Sequence, residues 1–360
     1  MRKRIFIGGV SLAAMALVWM SVGSLPASST AAPVRKIVVF KEGVLNEPAR
    51  DAFVNKFGGV KIKNLPLVNG QAVLLPPPAV EALANETGVL RVDDDAVVEA
   101  LGKPIPSQPI EVMPWGVKQV NADLAWPFTT ASGIKVAVVD TGIDLSHPDL
   151  IANIKGGYNA INPTNTPNDD NGHGTHVAGT IAAVNNEIGV VGVAPAASLY
   201  AVKVLDRKGS GYISDIIEGL DWAIQNGMQV VNMSLGSSSD VQSFHDAVAR
   251  VNAAGIVQVV AAGNSGGTVG YPAAYPEVIA VSATDSANTI ASWSSRGTEV
   301  DLAAPGVSIF SSYKGQTYKT LSGTSMATPH VAGAAAMLLS VPAKCDLDLD
   351  GFCSPAEVQK

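Results

Sequence analysis

Cysteine and charge are both scarce in this chain of 360 residues, and each shortage excludes a class of protein. Two cysteines, Cys345 and Cys353, are too few for a scaffold built on disulfides. Charged residues make up 15% of the chain and hydrophobic residues 47%, which excludes a disordered protein. The net charge of −7, with the acidic surplus after residue 110, excludes a protein that holds nucleic acid on a basic surface.

The N-terminus has the pattern of a secretory signal peptide. Residues 2–4 are basic, an apolar run extends from Ile5 to about Val22, and small residues follow through Ala32. We assign residues 1–29 to this signal and expect a secreted, extracellular protein without a stable membrane anchor in its mature form. The alternative is a membrane anchor, because about 18 apolar residues are just enough to span a bilayer.

A small domain is predicted over residues 33–101. Strand and helix patterns alternate there in the order β-α-β-β-α-β, the ferredoxin-like split βαβ plan, and the last strand is predicted over 89–92 and 96–101. Three prolines then indicate an exposed linker over residues 102–110.

Residues 111–360 alternate apolar strands with amphipathic helices. This alternation predicts an α/β fold with a doubly wound, mostly parallel sheet and flanking helices. The strands are predicted at 134–139, 198–205, 228–232, 256–261 and 278–282. Ligands bind at the carboxyl ends of strands in such sheets, so polar residues at those ends are the candidates for function.

Four polar residues at the ends of elements supply the groups that acyl transfer by serine requires. Taken singly, each has a structural explanation as a cap or a turn residue. Taken together they provide a nucleophile, a base, a carboxylate to orient the base and an oxyanion donor, namely Ser325, His173, Asp140 and Asn264. The H-E-x-x-H pattern of zinc proteases is absent, and Gly-Thr-Ser-Met-Ala at 323–327 is not the G-x-S-x-G of lipase-type esterases.

Three segments carry a resemblance to a known family. The stretches DTGID at 140–144, HGTHVAGTIAA at 173–183 and GTSMATPHVAG at 323–333 resemble, in this order, the three signatures of subtilisin-family serine proteases. The resemblance covers about residues 111–341, and residues 35–101 resemble the family's inhibitory propeptide. It implies a secreted serine endopeptidase, made as a zymogen that removes its own propeptide near Leu101 or later in the linker. Ser325 would be the nucleophile, His173 the general base and then acid, Asp140 the orienting carboxylate, and Asn264 the oxyanion donor.

The same resemblance implies how substrate binds. A protein or peptide substrate would add as an extended strand between two segments, whose residues are Gly209, Ser210 and Gly211 on one side and Ser234, Leu235 and Gly236 on the other. Gly270 would form the floor of the primary pocket, which predicts broad specificity with cleavage after Leu, Phe, Tyr or Met. The propeptide would be the intramolecular inhibitor, and we expect a monomer.

Calcium is the expected cofactor, at two places. The resemblance implies a strong site formed by Glu111, Asp149, Val184, Asn186, Ile188 and Val190. The second place is residues 346–357, in which Asp346, Asp348, Asp350 and Glu357 fit the calcium-loop pattern D-x-D-x-D-G-x₅-E. Residues 354–357 also have the pattern of a helix capping box. Cys345 and Cys353 flank the loop, and export permits a disulfide between them.

Members of the family normally continue past the position of Lys360, so the resemblance predicts a domain truncated at its C-terminus. Truncation favours a second interpretation, in which the product is catalytically inactive and acts only as a propeptide-locked binding protein.

Overall fold

A computed structural model describes residues 32–100, 103–105 and 112–360, and its chain from Pro33 onward is one unit. Outside the described residues lie the predicted signal at 1–29, the predicted cleavage region near Leu101 and the candidate ligand Glu111. Across those described ranges, no helix combines the length and apolar content that a membrane crossing requires.

Residues 34–94 form a four-stranded antiparallel sheet with two helices. In chain order the elements are β1 (Val34–Phe40), α1 (Glu47–Lys56), β2 (Val60–Leu65), β3 (Gly70–Leu75), α2 (Pro77–Ala84) and β4 (Val89–Asp94), and the strand order is β2-β3-β1-β4. Side chains alternate along β1, so Val38 and Phe40 pack on the helices while Ile37 and Val39 pack on the core of the larger region. The predicted split βαβ plan is therefore present.

The larger region is built on a seven-stranded sheet. Its elements in chain order are β5 (Val97–Ala100), β6 (Lys103–Ile105), α3 (Trp115–Gln119), α4 (Ala122–Ala125), β7 (Lys135–Asp140), β8 (Ile154–Asn159), α5 (His173–Ala182), β9 (Ser198–Lys203), β10 (Ser210–Tyr212), α6 (Ile213–Gln225), β11 (Val230–Met233), β12 (Leu235–Gly236), α7 (Gln242–Ala253), β13 (Val257–Ala261), β14 (Ile279–Thr284), β15 (Leu302–Pro305), β16 (Ile309–Tyr313), β17 (Thr317–Ser322), α8 (Thr324–Leu339) and α9 (Pro355–Val358). The order β15-β14-β13-β11-β7-β9-β8 is parallel throughout.

Helices cover both faces of this sheet, as a doubly wound fold requires. Along β7, Val136 and Val138 belong to the core on the side of α5 and α8, whereas Ala137 and Val139 belong to the core on the side of α6 and α7. A strand buried on both faces needs apolar residues at every position, which explains its continuous apolar sequence.

One predicted element belongs elsewhere. The last strand of the small sheet is predicted over 89–92 and 96–101, and its first part is present as β4. The second part is wrong in its partners, because β5 leaves that sheet and pairs with β10 and β12. Both of those short strands present an open edge to the same extended segment, and nothing in the local sequence of β5 encodes such distant partners.

Candidate active site

Asp140 and His173 are in direct contact at one edge of the sheet. Asp140 is the last residue of β7 and is fully buried, and His173 is the first residue of α5. His173 Nδ1 lies 2.8 Å from Asp140 Oδ1 and 3.0 Å from Oδ2. A proton on Nδ1 donates to that carboxylate, which makes Nε2 the basic nitrogen of the ring.

A second buried carboxylate, Asp169, holds both members of this pair. Asp169 is 4% exposed and accepts five hydrogen bonds. The donors are Thr141 Oγ1, Thr175 Oγ1 and the main-chain nitrogens of Asn171, Gly172 and Thr175. Burial raises the pKa of Asp169, and these hydrogen bonds oppose the rise. Thr141 N in turn donates to Asp140 Oδ1 at 2.7 Å, so Asp169 links the start of α5 to the end of β7.

Ser325 is the second residue of α8, at the same edge of the sheet. It is fully buried, and its Oγ donates to Ser234 O at 3.1 Å. Ser234 Oγ donates back to Ser325 O at 2.9 Å and accepts from Asn232 Nδ2 at 3.0 Å. Because β11 lies beside β7 in parallel, the residues that follow β11 hold Ser325 at the edge where Asp140 ends its strand.

Asn264 follows β13 and is oriented by Thr324. Asn264 Oδ1 accepts from Thr324 N at 2.9 Å and from Thr324 Oγ1 at 3.0 Å. With its oxygen held in this way, the side chain has Nδ2 as its donor towards a ligand. Thr324 was not among the predicted site residues, although it precedes Ser325 within the third signature.

An extended segment of the chain lies between the two predicted substrate-binding segments. Residue 98 of β5 pairs with Gly211, residue 99 with both Ser210 and Gly236, and residue 100 with Leu235, all antiparallel. Gly209 precedes the first segment and Ser234 the second. The segments therefore bind an extended backbone by strand addition, and the backbone they bind is the protein's own.

The described part of the linker also pairs with the strand that precedes α8. Strand β6 is antiparallel to β17, with Lys103 opposite Ser322 and Pro104 opposite Leu321. Strand β17 ends just before Gly323 and α8. Sequence reasoning missed this pairing, because its residues carry no motif and the two strands lie more than 200 positions apart in the chain.

Gly270 stands where two segments approach closely. Its nitrogen donates to Ala262 O at 3.1 Å, and a Cβ at this position would lie 3.0 Å from Ser237 O. Next to Gly270, Tyr271 exchanges two backbone hydrogen bonds with Ser237, N to O and O to N. A larger side chain at position 270 would have to displace this backbone.

Asp149 and the loop 184–190 form the first candidate calcium place. Asp149 is fully buried; its Oδ2 accepts from Val190 N at 2.8 Å, and its Oδ1 has no hydrogen-bond partner among the described residues. Burial raises the pKa of this carboxyl, while Val190 N and the side chains of Tyr318 and Asn186 lower it. A buried carboxylate oxygen without a donor, beside a side-chain amide and a folded loop, fits a hard cation. Val184 N donates to Asp149 O, and Ile188 lies within the same loop.

The second candidate calcium place is only partly assembled as the pattern predicts. One carboxylate oxygen each from Asp346, Asp348 and Asp350 lie within 4.8 Å of one another. Glu357 is engaged elsewhere, since it accepts from Ser354 N and Ser354 Oγ in the capping box of α9 and from Leu347 N and Asp348 N in the loop. These hydrogen bonds, those from Ser354 above all, lower the pKa of Glu357 to about 2. Cys345 and Cys353 form a disulfide across the loop.

Comparisons with known proteins agree with this geometry. The model of the subtilase family matches residues 131–360. Subtilisin E from Bacillus subtilis (strain 168) is 46% identical over 335 residues, which cover 91% of this chain and 85% of that protein. Subtilisin J from Geobacillus stearothermophilus has the same identity and coverage, and subtilisin from Bacillus pumilus is 55% identical over 235 residues, or 63% of this chain and 85% of that protein. The chain belongs to the subtilase family.

This subtilase is a serine endopeptidase. The predicted family, α/β fold class and enzyme class are thereby confirmed. The roles of the individual residues stay predictions, as do the two calcium places.

Proposed function

We propose that this subtilase cleaves peptide bonds through a triad of Asp140, His173 and Ser325. The observation that carries the proposal is the 2.8 Å contact between His173 and Asp140 at the sheet edge where Ser325 lies in the first turn of α8. Ser325 Oγ attacks the scissile carbonyl carbon while His173 Nε2 takes its proton and later gives it to the leaving amine. Asp140 keeps the ring oriented and stabilises the imidazolium that forms. Asn264 Nδ2 and Ser325 N donate to the oxyanion.

Substrates are extended protein segments of many sequences. Strand addition to β10 and β12 recognises the backbone, which every sequence provides, so specificity is broad. The glycine at position 270 supports a primary pocket that accepts a large apolar side chain, Leu, Phe, Tyr or Met.

The protein is made as a zymogen, and the pairing of β5 supports a cut soon after that strand ends. Residue 99 lies opposite Gly236 and residue 100 opposite Leu235. Leu235 follows Ser234, whose carbonyl oxygen accepts from Ser325 Oγ at 3.1 Å, so β5 runs towards the proposed nucleophile. The cut that releases the small domain would lie near Leu101, or later in the linker up to Ile110. Residues 33–101 would act as the intramolecular inhibitor until they leave, and residues 1–29 would direct export.

Calcium binds at the two places described above. Asp149, Asn186 and the loop 184–190 would hold one ion, and Asp346, Asp348 and Asp350 a second, with Glu357 joining if it leaves its cap. A calcium ion supplies structural stability and takes no part in the proton transfers.

The processing test uses Ser325→Ala in a host without other proteases. We expect the wild-type chain to lose its residues through 101, as read by mass spectrometry, and the variant to keep them. Turnover of a chromogenic peptide should be blocked by phenylmethylsulfonyl fluoride and fall on the order of 10⁶-fold in the variant, the loss that related triads show without their serine. Ser286→Ala, in an exposed loop, is the matched control and should process normally.

Two results would contradict the proposal. Cleavage of the Ser325→Ala chain in that host would exclude self-processing. A wild-type chain that stays intact and turns over no peptide would instead favour the inactive, propeptide-locked interpretation.

Chelation tests the calcium proposal. An ion present at about 100 times its Kd stabilises by about 2.7 kcal/mol, which for a unit of about 330 residues corresponds to a Tm shift of roughly 4 °C. We expect EDTA to lower the Tm of the Ser325→Ala chain by about that amount for each of the two ions. Asp149→Asn should abolish the part due to the first place and Asp348→Asn the part due to the second. An unchanged Tm on chelation would show that neither place holds calcium.

A further inference from the structure

The ammonium group of Lys63, in the N-terminal sheet, contacts three oxygen atoms of the peptidase region. Lys63 Nζ, on β2, donates to Ala160 O at 2.5 Å and to Asp215 Oδ1 at 2.5 Å, and lies 2.8 Å from Glu218 Oε2. The side chains are 16%, 8% and 17% exposed for Lys63, Asp215 and Glu218. Two carboxylates and a main-chain carbonyl around one positive centre are the ligand types that a hard divalent cation takes.

The two carboxylates depend on positive charge from the segment that is removed. Asp215 and Glu218 lie three residues apart on α6, and therefore on one face of that helix. Burial raises the pKa of Asp215, and the charges of Lys63 and Arg35 oppose this rise; Arg35 Nη2 is 3.8 Å from Asp215 Oδ1. Both cations belong to residues 33–101, so this inference rests on the proposed zymogen. After processing, the carboxylates of Asp215 and Glu218 lose the ammonium group of Lys63, and an unpaired buried charge is destabilising.

We propose that the mature protein binds a calcium-sized divalent cation at Ala160 O, Asp215 and Glu218, in the place that Lys63 Nζ fills in the precursor. Calcium takes six to eight oxygen ligands, so three protein oxygens leave the rest to water and predict a weak site with a Kd of about 10⁻⁴–10⁻³ M. The ion and Lys63 exclude each other. By reciprocity, calcium bound here weakens the attachment of the cleaved propeptide. The site shares no residue with the two calcium places described above.

The neighbouring aromatic residues provide a direct readout. Tyr158 donates its hydroxyl hydrogen bond to Glu218 Oε1, and its ring stacks on Trp222 with centroids 6.2 Å apart and planes inclined by 6°. Excited aromatic rings transfer energy to a terbium ion bound beside them. Sensitised Tb³⁺ emission therefore reports an ion at Glu218, and calorimetric titration with Ca²⁺ counts the sites.

The experiment uses the full chain with Ser325→Ala, in which Lys63 stays in place. Adding Lys63→Ala should create one further Ca²⁺ site and at least a tenfold gain in Trp-sensitised Tb³⁺ emission. Adding Asp215→Asn and Glu218→Gln to that chain should remove both. Lys61→Ala removes the same charge from the same strand but from an ion pair with Asp51, and should create no site. Asp221→Asn, one turn along α6, should leave the new site intact.

The proposal is overturned if Lys63→Ala gains no site, or if Lys61→Ala gains the same one. Should Lys63→Ala fail to fold by circular dichroism, the processed wild-type chain takes its place. That chain must then bind one Ca²⁺ that the Asp215→Asn/Glu218→Gln chain does not, and equal stoichiometry would equally overturn the proposal. Mass spectrometry reports cleavage separately, so a cut Ser325→Ala chain counts against the zymogen and not against the ion site.

Discussion

At the scale of single residues, Asp169 fixes the Asp140–His173 pair through hydrogen bonds and not through contact with substrate. Its carboxylate accepts five N–H and O–H groups, two of them from the first turn of α5 and one from Thr141 beside Asp140. An amide in this position has one accepting oxygen, and its NH₂ group would face donors. The expected role is that of a positioning residue.

Asp169→Asn should therefore lower kcat by roughly 10–100-fold, the usual cost of losing a second-layer partner, with little change in KM. Removing a negative charge near the imidazolium also destabilises its protonated form, so the acidic limb of the kcat profile should move to lower pH. Steady-state kinetics between pH 5 and 9 measures both effects.

Two variants separate positioning from charge alone. Asp170→Asn removes the adjacent carboxylate, which is about half exposed and paired with Lys203, and should move the pH limb only slightly without a large loss of kcat. Thr141→Val keeps every charge but breaks the link from Asp169 to Asp140, and should lower kcat without moving the limb. If Asp169→Asn retains wild-type kcat, the positioning role is wrong.

The sequence identifies the residues with reactive groups but does not identify the residues that orient them through hydrogen bonds. Asp140, His173, Ser325 and Asn264 could be selected because each stands at the end of an element and offers a reactive or donating group. Asp169 and Thr324 act through other residues, so neither their type nor their spacing distinguishes them from ordinary buried polar groups. Only the folded contacts reveal them.

At the scale of elements, the strands with continuous apolar sequence were predictable. Strands β7, β9, β11 and β13 lie inside the sheet, and burial of both faces makes their pattern unmistakable. Strands β8 and β15 are at its two edges, and β8 contains Gly156 and Gly157. Edge strands need no continuous apolar run, so neither was predicted.

Helices α6 and α7 begin with caps that come from another part of the chain. Neither helix has a side-chain cap from its own N-cap residue, Tyr212 or Val241. Asp95 instead accepts from Ser214 N at 2.8 Å and from Ser214 Oγ at 2.6 Å, and Asp93 accepts from Ser243 Oγ. A carboxylate at a helix N-terminus accepts hydrogen bonds from the first turn and interacts favourably with the positive end of the helix dipole. The first turns of both helices thus depend on the segment that we propose is removed.

At the scale of the whole molecule, two buried histidines make stability depend on pH. His330 and His176 are fully buried, and burial lowers the pKa of His330 to about 4 and that of His176 to about 3. An unfolded histidine titrates near pH 6.5. Below that pH the unfolded chain binds protons that the native chain refuses, so stability falls as pH falls, until about pH 4 for His330 and about pH 3 for His176. Each contributes at most about 1.4 kcal/mol per pH unit.

His330→Asn tests this dependence without removing the native hydrogen bond. His330 Nδ1 donates to Met326 O at 2.8 Å, and an asparagine Nδ2 can take that place without titrating. In the Ser325→Ala chain, urea unfolding at pH 5 and 6 should show a slope of stability against pH that is smaller by about 1 kcal/mol per unit. Thr328→Ser, buried on the same helix, should lower stability equally at both pH values. If His330→Asn leaves the slope unchanged, protonation of His330 does not set the acid limit of the fold. His176 on α5, which donates to Ile309 O and Lys319 O, then becomes the residue to replace.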